Sequence, residues 1–317
     1  MKVQRNSFLT IGIILLVLPT GACMDTVYVD AGATGPGIGT AEAPFQRIAT
    51  GLFWASSGAT VYVAAGDYTE NLLISRPVSL LGAGAAITRI LADVTYKGIE
   101  INADHVEVRG FSIVGVGDPD PENYFVGGIW AEDVNNLTVS ENVVGPYAWI
   151  GIGVGRASNV IIENNEVLDI SGSLDSENHA IVLVLVQSFV VSANAVANVD
   201  GFGLYLSESG GELEMNTVTN CSLGLHVFAS NTADAEVSVR GNTIQDSSYG
   251  AMTVFLSTIS NFYGNTIVNN PGIGLEIYDD ETVILACGNN IISGNNPDFG
   301  DKLQYYGYLD VILACLD

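Results

Sequence analysis

The chain has 317 residues, 48% of them hydrophobic, and its 35 acidic against 10 basic residues give a formal charge of −25. Such a field excludes nucleic acid as a partner, and it repels a bare anionic polysaccharide unless a divalent cation intervenes. Structural zinc is not expected, because His105, His179 and His226 are scattered and the cysteines have no metal-type spacing.

Lys2 and Arg5 precede an apolar run from Phe8 to Pro19, which ends in Thr20, Gly21 and Ala22 before Cys23. The run is too short to span a bilayer comfortably and carries no stop-transfer flank, so residues 1–22 are expected to be a signal peptide. A Cys directly after Gly-Ala is the pattern of a bacterial lipoprotein signal, with lipid on Cys23; cleavage after Ala22 without lipidation is the alternative. Either way the chain is exported from the bacterial cytoplasm, as a membrane-anchored lipoprotein of the periplasm or cell surface, or otherwise secreted. Any membrane contact is through the lipid alone. Without residues 1–22 the balance is 8 basic to 35 acidic residues, a formal charge of −27. That excess also serves to keep a long exported rod soluble.

The strand TVYVD at 26–30 is followed by a Gly-rich turn and by PFQRIATGLFWA, where Phe45, Ile48, Ala49 and Leu52 recur at helical spacing. This amphipathic helix is expected to plug the open end of a solenoid, within an N-terminal cap over 26–58. Next come TVYVAAGDYTENLLI and PVSLLGAG, a first full coil. The run from Pro44 to Gly84 resembles the opening of right-handed β-helix proteins of the pectate-lyase-like superfamily, including pectin methylesterases. The resemblance implies the fold; it leaves the activity open, since that architecture hosts lyases, hydrolases, esterases, epimerases and proteins without known chemistry.

From residue 128 onward, coils share a Gly-apolar start: GIWAE, GIGVG, AIVLV, GLYLS, GLHVF, GAMTV and GLEIY. Each also carries an Asn, namely Asn142, Asn165, Asn194, Asn216, Asn242, Asn265 and Asn289, at intervals of 22 to 29 residues. A period of this size marks a solenoid. Alternation in GIWAE puts Ile129 and Ala131 inside and Trp130 and Glu132 outside. Stacked coils then align Ile129, Ile152, Ile181, Leu204, Leu225 and Leu275 in one apolar column. The Asn positions are read as a structural ladder, because Asn tolerates the left-handed turn of a sharp corner and stacked amides satisfy one another. The fold class is therefore all-β: a single right-handed parallel β-helix domain over 23–317, built of three-strand coils over 59–297, with an N-terminal capping helix.

Two coils carry insertions at the same corner, GDPDPENYF at 117–125 and SGSLDSEN at 171–178. These loops are expected to gather Asp118, Asp120, Glu122, Asp175 and Glu177 beside Tyr124, Trp130 and Trp149. Rings stack on the apolar faces of sugars, and acids accept hydroxyl hydrogen bonds or hold calcium, so these residues form a candidate glycan site with calcium as a candidate cofactor. Polar insertions collecting on one side of a solenoid is the plainer reading. His179 aligns with Ile150 and Phe202 at inward or rim positions and reads as packed. The outward row Trp130, Val182, Tyr205, His226 and Met252, flanked by Val184, Phe228 and Val254, is apolar for a solvent face. It invites a carbohydrate or a protein partner.

Neither the paired aspartates with an arginine of pectin methylesterases nor the aspartate cluster, Gly-His-Gly and basic motif of polygalacturonases is found, so known catalytic residues cannot be carried over. Arg109 and Arg240 share a coil position too far apart to cooperate, Arg156 is read as the partner of Asp133, and Asp279-Asp280 reads as a solvated turn. Whether the chain is an enzyme stays open. At the C-terminus, residues 298–317 are expected to form a closing coil in which the second VILAC, at 311–315, lies over the first, at 283–287. Adjacent strands would hold Cys287 and Cys315 at ~5 Å, within disulfide range, and leave Cys221 unpaired. Together these features describe an extracytoplasmic surface protein binding polysaccharide through the outer wall of a β-helix. A polysaccharide-modifying lyase, hydrolase, esterase or epimerase is one alternative, and a structural or adhesive rod binding another protein is the other.

Overall fold

Short strands with one apolar side, repeated every two dozen residues, can bury all those sides only by winding into a prism with the apolar sides inward. The computed structural model, which describes residues 24–118, 127–172, 178–229 and 235–316, is such a winding: a right-handed parallel solenoid of about nine turns. Every pairing between its strands is parallel, coil upon coil. The strands of each coil fall on three faces, so three inner columns fill the core. On the first face the column runs Leu72, Ile99, Ile129, Ile152, Ile181, Leu204, Leu225, Met252 and Leu275. On the second it runs from Val61 through Val108, Ile162 and Leu213 to Phe262. The third column runs from Tyr68 through Ile113, Val167 and Val218 to Ile292.

Each first-face strand is entered through a small residue that must pass close to the third column. A Cβ on Gly151 would overlap Val167 Cγ1, and one on Gly224 would overlap Ile244 Cγ2. Ala180 and Ala251 hold the same place in their coils and are fully buried. This corrects the alignment of GAMTV. Ala251, not Gly250, takes the entry position, so Met252 and Val254 face inward, and Thr253 and Phe255 stand in the outer rows instead.

The ladder at the corner between the second and third faces is built as buried amides require. Asn194 Oδ1 accepts from the backbone N–H and the Nδ2 of Asn165, both at 3.0 Å, while Asn194 Nδ2 donates to the Ile162 carbonyl at 2.8 Å. The same set repeats at Asn165, Asn216, Asn242 and Asn265, and the ladder starts at Asn142, whose Oδ1 accepts from the Phe111 N–H. Its last member is Asn290 and not Asn289, which is exposed. The left-handed corner residue is also not the ladder Asn. It is the residue before it: Glu141, Asn164, Ala193, Met215, Gly241, Gly264 and Asn289 all have φ between 53° and 65°. A second ladder at the next corner, from Ser247 through Asn270 and Asn295 to Asp298, was not apparent in the sequence.

At the N-terminal end a short helix, α1 (Ile48–Trp54), buries Ile48, Gly51 and Leu52. Its first N–H groups are satisfied from a neighbouring coil, since the Glu70 carboxylate accepts from Ile48 at 2.9 Å and Ala49 at 3.1 Å. Phe45 lies outside the helix and bridges Val29. At the C-terminal end the expected coil is replaced by two short helices, α2 (Asp301–Tyr305) and α3 (Leu309–Leu313), which bury Leu303 and Ile312. The second VILAC therefore runs through α3 and is no strand over the first. Cys315, just beyond α3, is nonetheless disulfide-bonded to Cys287 with Cα atoms 5.2 Å apart. Cys221 is a buried free thiol, and burial pushes its pKa up to about 12.

Candidate functional site

Of the residues proposed at the loop corner, Asp118 is exposed, while Asp120, Glu122, Tyr124, Asp175 and Glu177 lie outside the described residues, as does Cys23. Gly117 and Gly172, which border the two insertions, line one cleft of about 340 Å³ together with Tyr147 and Asp169. The tryptophans are not open platforms. Trp149 is fully buried and packs where Gly172 leaves room for its ring. Trp130 does stand in the outer row but is only 8% exposed, its ring lying over Gly153. Lys97 Nζ, paired to Glu100 at 2.8 Å, sits 5.8 Å from its ring centroid. A missing side chain in the next coil explains the burial: Gly153 opens a slot that the indole fills.

The adjoining cleft, about 320 Å³, is lined by Asp169, Asn198, Asn220 and Ser248. Three of its polar side chains are linked to one another, with Asn220 donating to Asn198 at 2.8 Å and Asn198 to Asp169 at 2.9 Å. Asp279, expected in a solvated turn, is buried instead. It accepts from the N–H groups of Leu256, Glu281 and Thr282 and from the Thr282 hydroxyl, so it organises a corner. Arg156 forms a two-pronged pair with Asp133, at 2.7 and 2.9 Å, and also meets Glu132. Among the described residues no group of three or more metal-ligating side chains comes together, and no helix is long and apolar enough to cross a membrane.

The first face carries a different constellation. Parallel register sets equivalent outward residues one coil apart, ~4.8 Å along the axis. One outer row runs Trp130, Gly153, Val182, Tyr205, His226, Thr253 and Glu276. On one side of it lie Ile150, His179, Phe202 and Leu223; on the other lie Val184, Ser207, Phe228 and Phe255. His179 thus belongs to the rim of the outer face. Its ring stacks on Phe202 at 5.1 Å and meets Tyr205 edge-on at 4.9 Å. Tyr205 stacks on His226 at 5.3 Å, and Phe228 on Phe255 at 5.5 Å. Rings stacked along the axis turn their edges and polar tips outward.

His226 is fixed within this wall by Thr253, whose Oγ1 lies 2.6 Å from Nδ1. Burial depresses the His226 pKa to about 4, so the imidazole is neutral near neutral pH and one of its nitrogens donates while the other accepts. Thr253 and Phe255 were missed in the sequence; the signal that finds them is Ala251 in the small entry position. The row ends at Glu276, buried beneath the start of α2, where burial raises its carboxyl pKa and Oε1 has no hydrogen-bond partner.

Comparison with known proteins gives a fold-level answer. An 89-residue segment is 29% identical to a cell surface glycoprotein of Methanothermus fervidus, covering 28% of this chain and 13% of that protein. The enzymatically active domain of bacteriophage CBA120 tailspike protein 2 is similar with a TM-score of 0.59 at 12% identity, over 86% of this chain and 43% of that one. The Dettilon tailspike protein gives 0.55 at 13% identity, over 87% and 64%. This chain spans only part of the length of each, and the tailspike likenesses concern the fold alone. Residues 91–243 and 179–304 match the right handed beta helix region, two overlapping segments that take in most of the solenoid. The chain belongs to the right-handed β-helix family.

Proposed function

We propose that this chain is an exported surface protein that binds a polysaccharide along the outer rows of its first face. The observation that carries the reading is the wall of stacked rings around Tyr205 and His226. Apolar ring edges there alternate with the Tyr205 hydroxyl and the His226 nitrogens, and a sugar chain likewise alternates C–H patches with hydroxyls. A linear polymer laid along the axis meets one equivalent residue per coil, every ~4.8 Å. Likeness to a cell surface glycoprotein over one segment agrees with export. Lipid on Cys23 is the anchor we propose, to be checked by mass spectrometry of the mature N-terminus and by release of Cys23→Ser from membranes.

The test of binding is a glycan array probed with the wild-type protein, Tyr205→Ala and Phe228→Ala, with and without calcium. Hits that weaken at least tenfold in both variants support the wall; hits that both variants retain in full place binding elsewhere, and an array without hits removes the reading. A second reading, polysaccharide modification, is favoured by the 2.6 Å contact between His226 and Thr253, a base and a hydroxyl within hydrogen-bond reach. A product assay on every hit, repeated with His226→Gln, decides it.

A further inference from the structure

Resting on that reading, we infer that the polysaccharide recognised by the first face is an uncharged one. In a chain with a formal charge of −25, the outer rows from Ile150 to Phe255 carry no Asp, Glu, Lys or Arg at all. Acidic residues reappear only at the two ends of the rows, as Glu100 and Glu132 on one side and Glu276 on the other. Every basic group near those ends is already engaged. Lys97 is paired with Glu100 at 2.8 Å, Arg156 holds Glu132 and Asp133, and Lys302 lies 3.8 Å from the Tyr278 ring centroid beside Glu276. His226 supplies no charge near neutral pH either, since burial lowers its pKa to about 4.

A carboxylate or sulfate laid on this wall would lose water against ring edges and find no cation in return. The acidic remainder of the protein would oppose it over the Debye length, ~8–10 Å at ordinary salt. A neutral hexose polymer meets neither penalty. Discrimination therefore comes from what the wall lacks, and it favours neutral over anionic chains of the same geometry.

The experiment starts from the neutral hexose polymer that binds best on the array and converts its primary C6 alcohols to carboxylates, leaving the backbone linkage unchanged. The oxidised polymer is expected to bind at least tenfold more weakly at low salt, with part of the loss recovered as salt is raised. Ser207→Arg, which adds one cation to the wall beside Phe228, is expected to narrow the gap in affinity between the oxidised and the parent polymer at least threefold. Equal affinity for parent and oxidised polymer, or an array whose strongest hits are uronates or sulfated glycans, overturns the inference while leaving polysaccharide binding intact. An array without any glycan hit overturns the binding reading itself and this inference with it.

Discussion

Asn290 sends its backbone N–H, at 3.2 Å, and its Nδ2, at 3.3 Å, to one acceptor beyond the last coil, the carbonyl oxygen of Cys315, while Nδ2 also donates back to the Phe262 carbonyl at 2.7 Å. A ladder of stacked amides leaves its last member with donors and no next coil to receive them. The closing segment supplies the acceptor, and the disulfide from Cys315 to Cys287 pins that segment in place. The ladder and the C-terminal closure are thus one structure.

Cutting this link should loosen the end of the solenoid. Cys287→Ser with Cys315→Ser opens a loop with a sequence separation of 28 and is expected to lower stability by about 3 kcal/mol on the chain-entropy account. Hydrogen exchange should localise the change to 283–316. Peptide mapping without reductant should show Cys287 joined to Cys315, and Cys221, with its thiol pushed up to about 12, should resist maleimide until the protein is unfolded. Rapid labelling of Cys221 in the native state would contradict its burial.

The ladder itself gives a sharper comparison. Asn194→Ala takes the Oδ1 acceptor from the buried backbone N–H of Asn165, at about 1–3 kcal/mol for that group, and also deletes the side-chain bonds to Asn165 Nδ2, the Ile162 carbonyl and Asn216 Oδ1. A loss of at least ~2 kcal/mol in urea unfolding is expected. Asn289→Gly should change stability by less than about 0.5 kcal/mol, since Asn289 is exposed and its φ of 54° suits glycine. Equal effects at the two sites would mean that the ladder had been assigned to the wrong Asn of the 289–290 pair.

Small residues at the coil entries set a further test. Gly224→Val drives a branched side chain into Ile244 and the Ala251 carbonyl, and is expected to cost about 2 kcal/mol or more. Ala251→Gly removes one methyl from a fully buried site and should cost about 1 kcal/mol. A tolerated Gly224→Val, judged by an unchanged melting temperature, would show that the third column can move aside.

The inner columns could be read from the sequence because period-two alternation and a two-dozen-residue repeat leave one way to bury the apolar sides. Register within a single coil was less legible. In GAMTV the Gly-apolar match points to Gly250, yet close approach to the third column requires only a small residue, and Ala251 meets that need one position later. The doublet Asn289-Asn290 hides the same ambiguity, since both members are Asn and only the corner geometry separates turn from ladder. The exposure of Trp130 and Trp149 could not be read at all: parity says which way a side chain leaves the strand and nothing about what covers it. At the C-terminus, two copies of VILAC have the same local pattern, and the packing of Leu303 and Ile312 on the last coil makes the second copy helical.

His226 should make stability depend on pH in a particular window. In the unfolded chain its imidazole takes up a proton near 6.5, whereas burial in the wall lowers the folded value to about 4. The unfolded state therefore binds more protons between these values, and stability falls as pH drops from 6.5 toward 4; above 6.5 the group contributes no slope. The full shift corresponds to no more than about 3 kcal/mol, discounted because the ring is only partly buried. Loss of water around the ring is the cause of the shift, and its neighbours Thr253, Tyr205 and Phe202 carry no charge. Carboxylates elsewhere titrate at the acid end of this range, so the informative quantity is a difference. Urea midpoints of the wild type and His226→Gln, measured at steps between about pH 7 and 4.5, should diverge in one direction: the advantage of the wild type should shrink, or reverse, as the pH falls. Glutamine can still bond Thr253 and does not titrate, so the trend reports the imidazole alone. In parallel, NMR of the His226 ring protons should show an imidazole that stays neutral down to about pH 5 in the folded protein, given its folded value of about 4. A ring that titrates near 6.5 in the native state would show the wall to be open to water around His226, and would remove the reason for the stability trend as well.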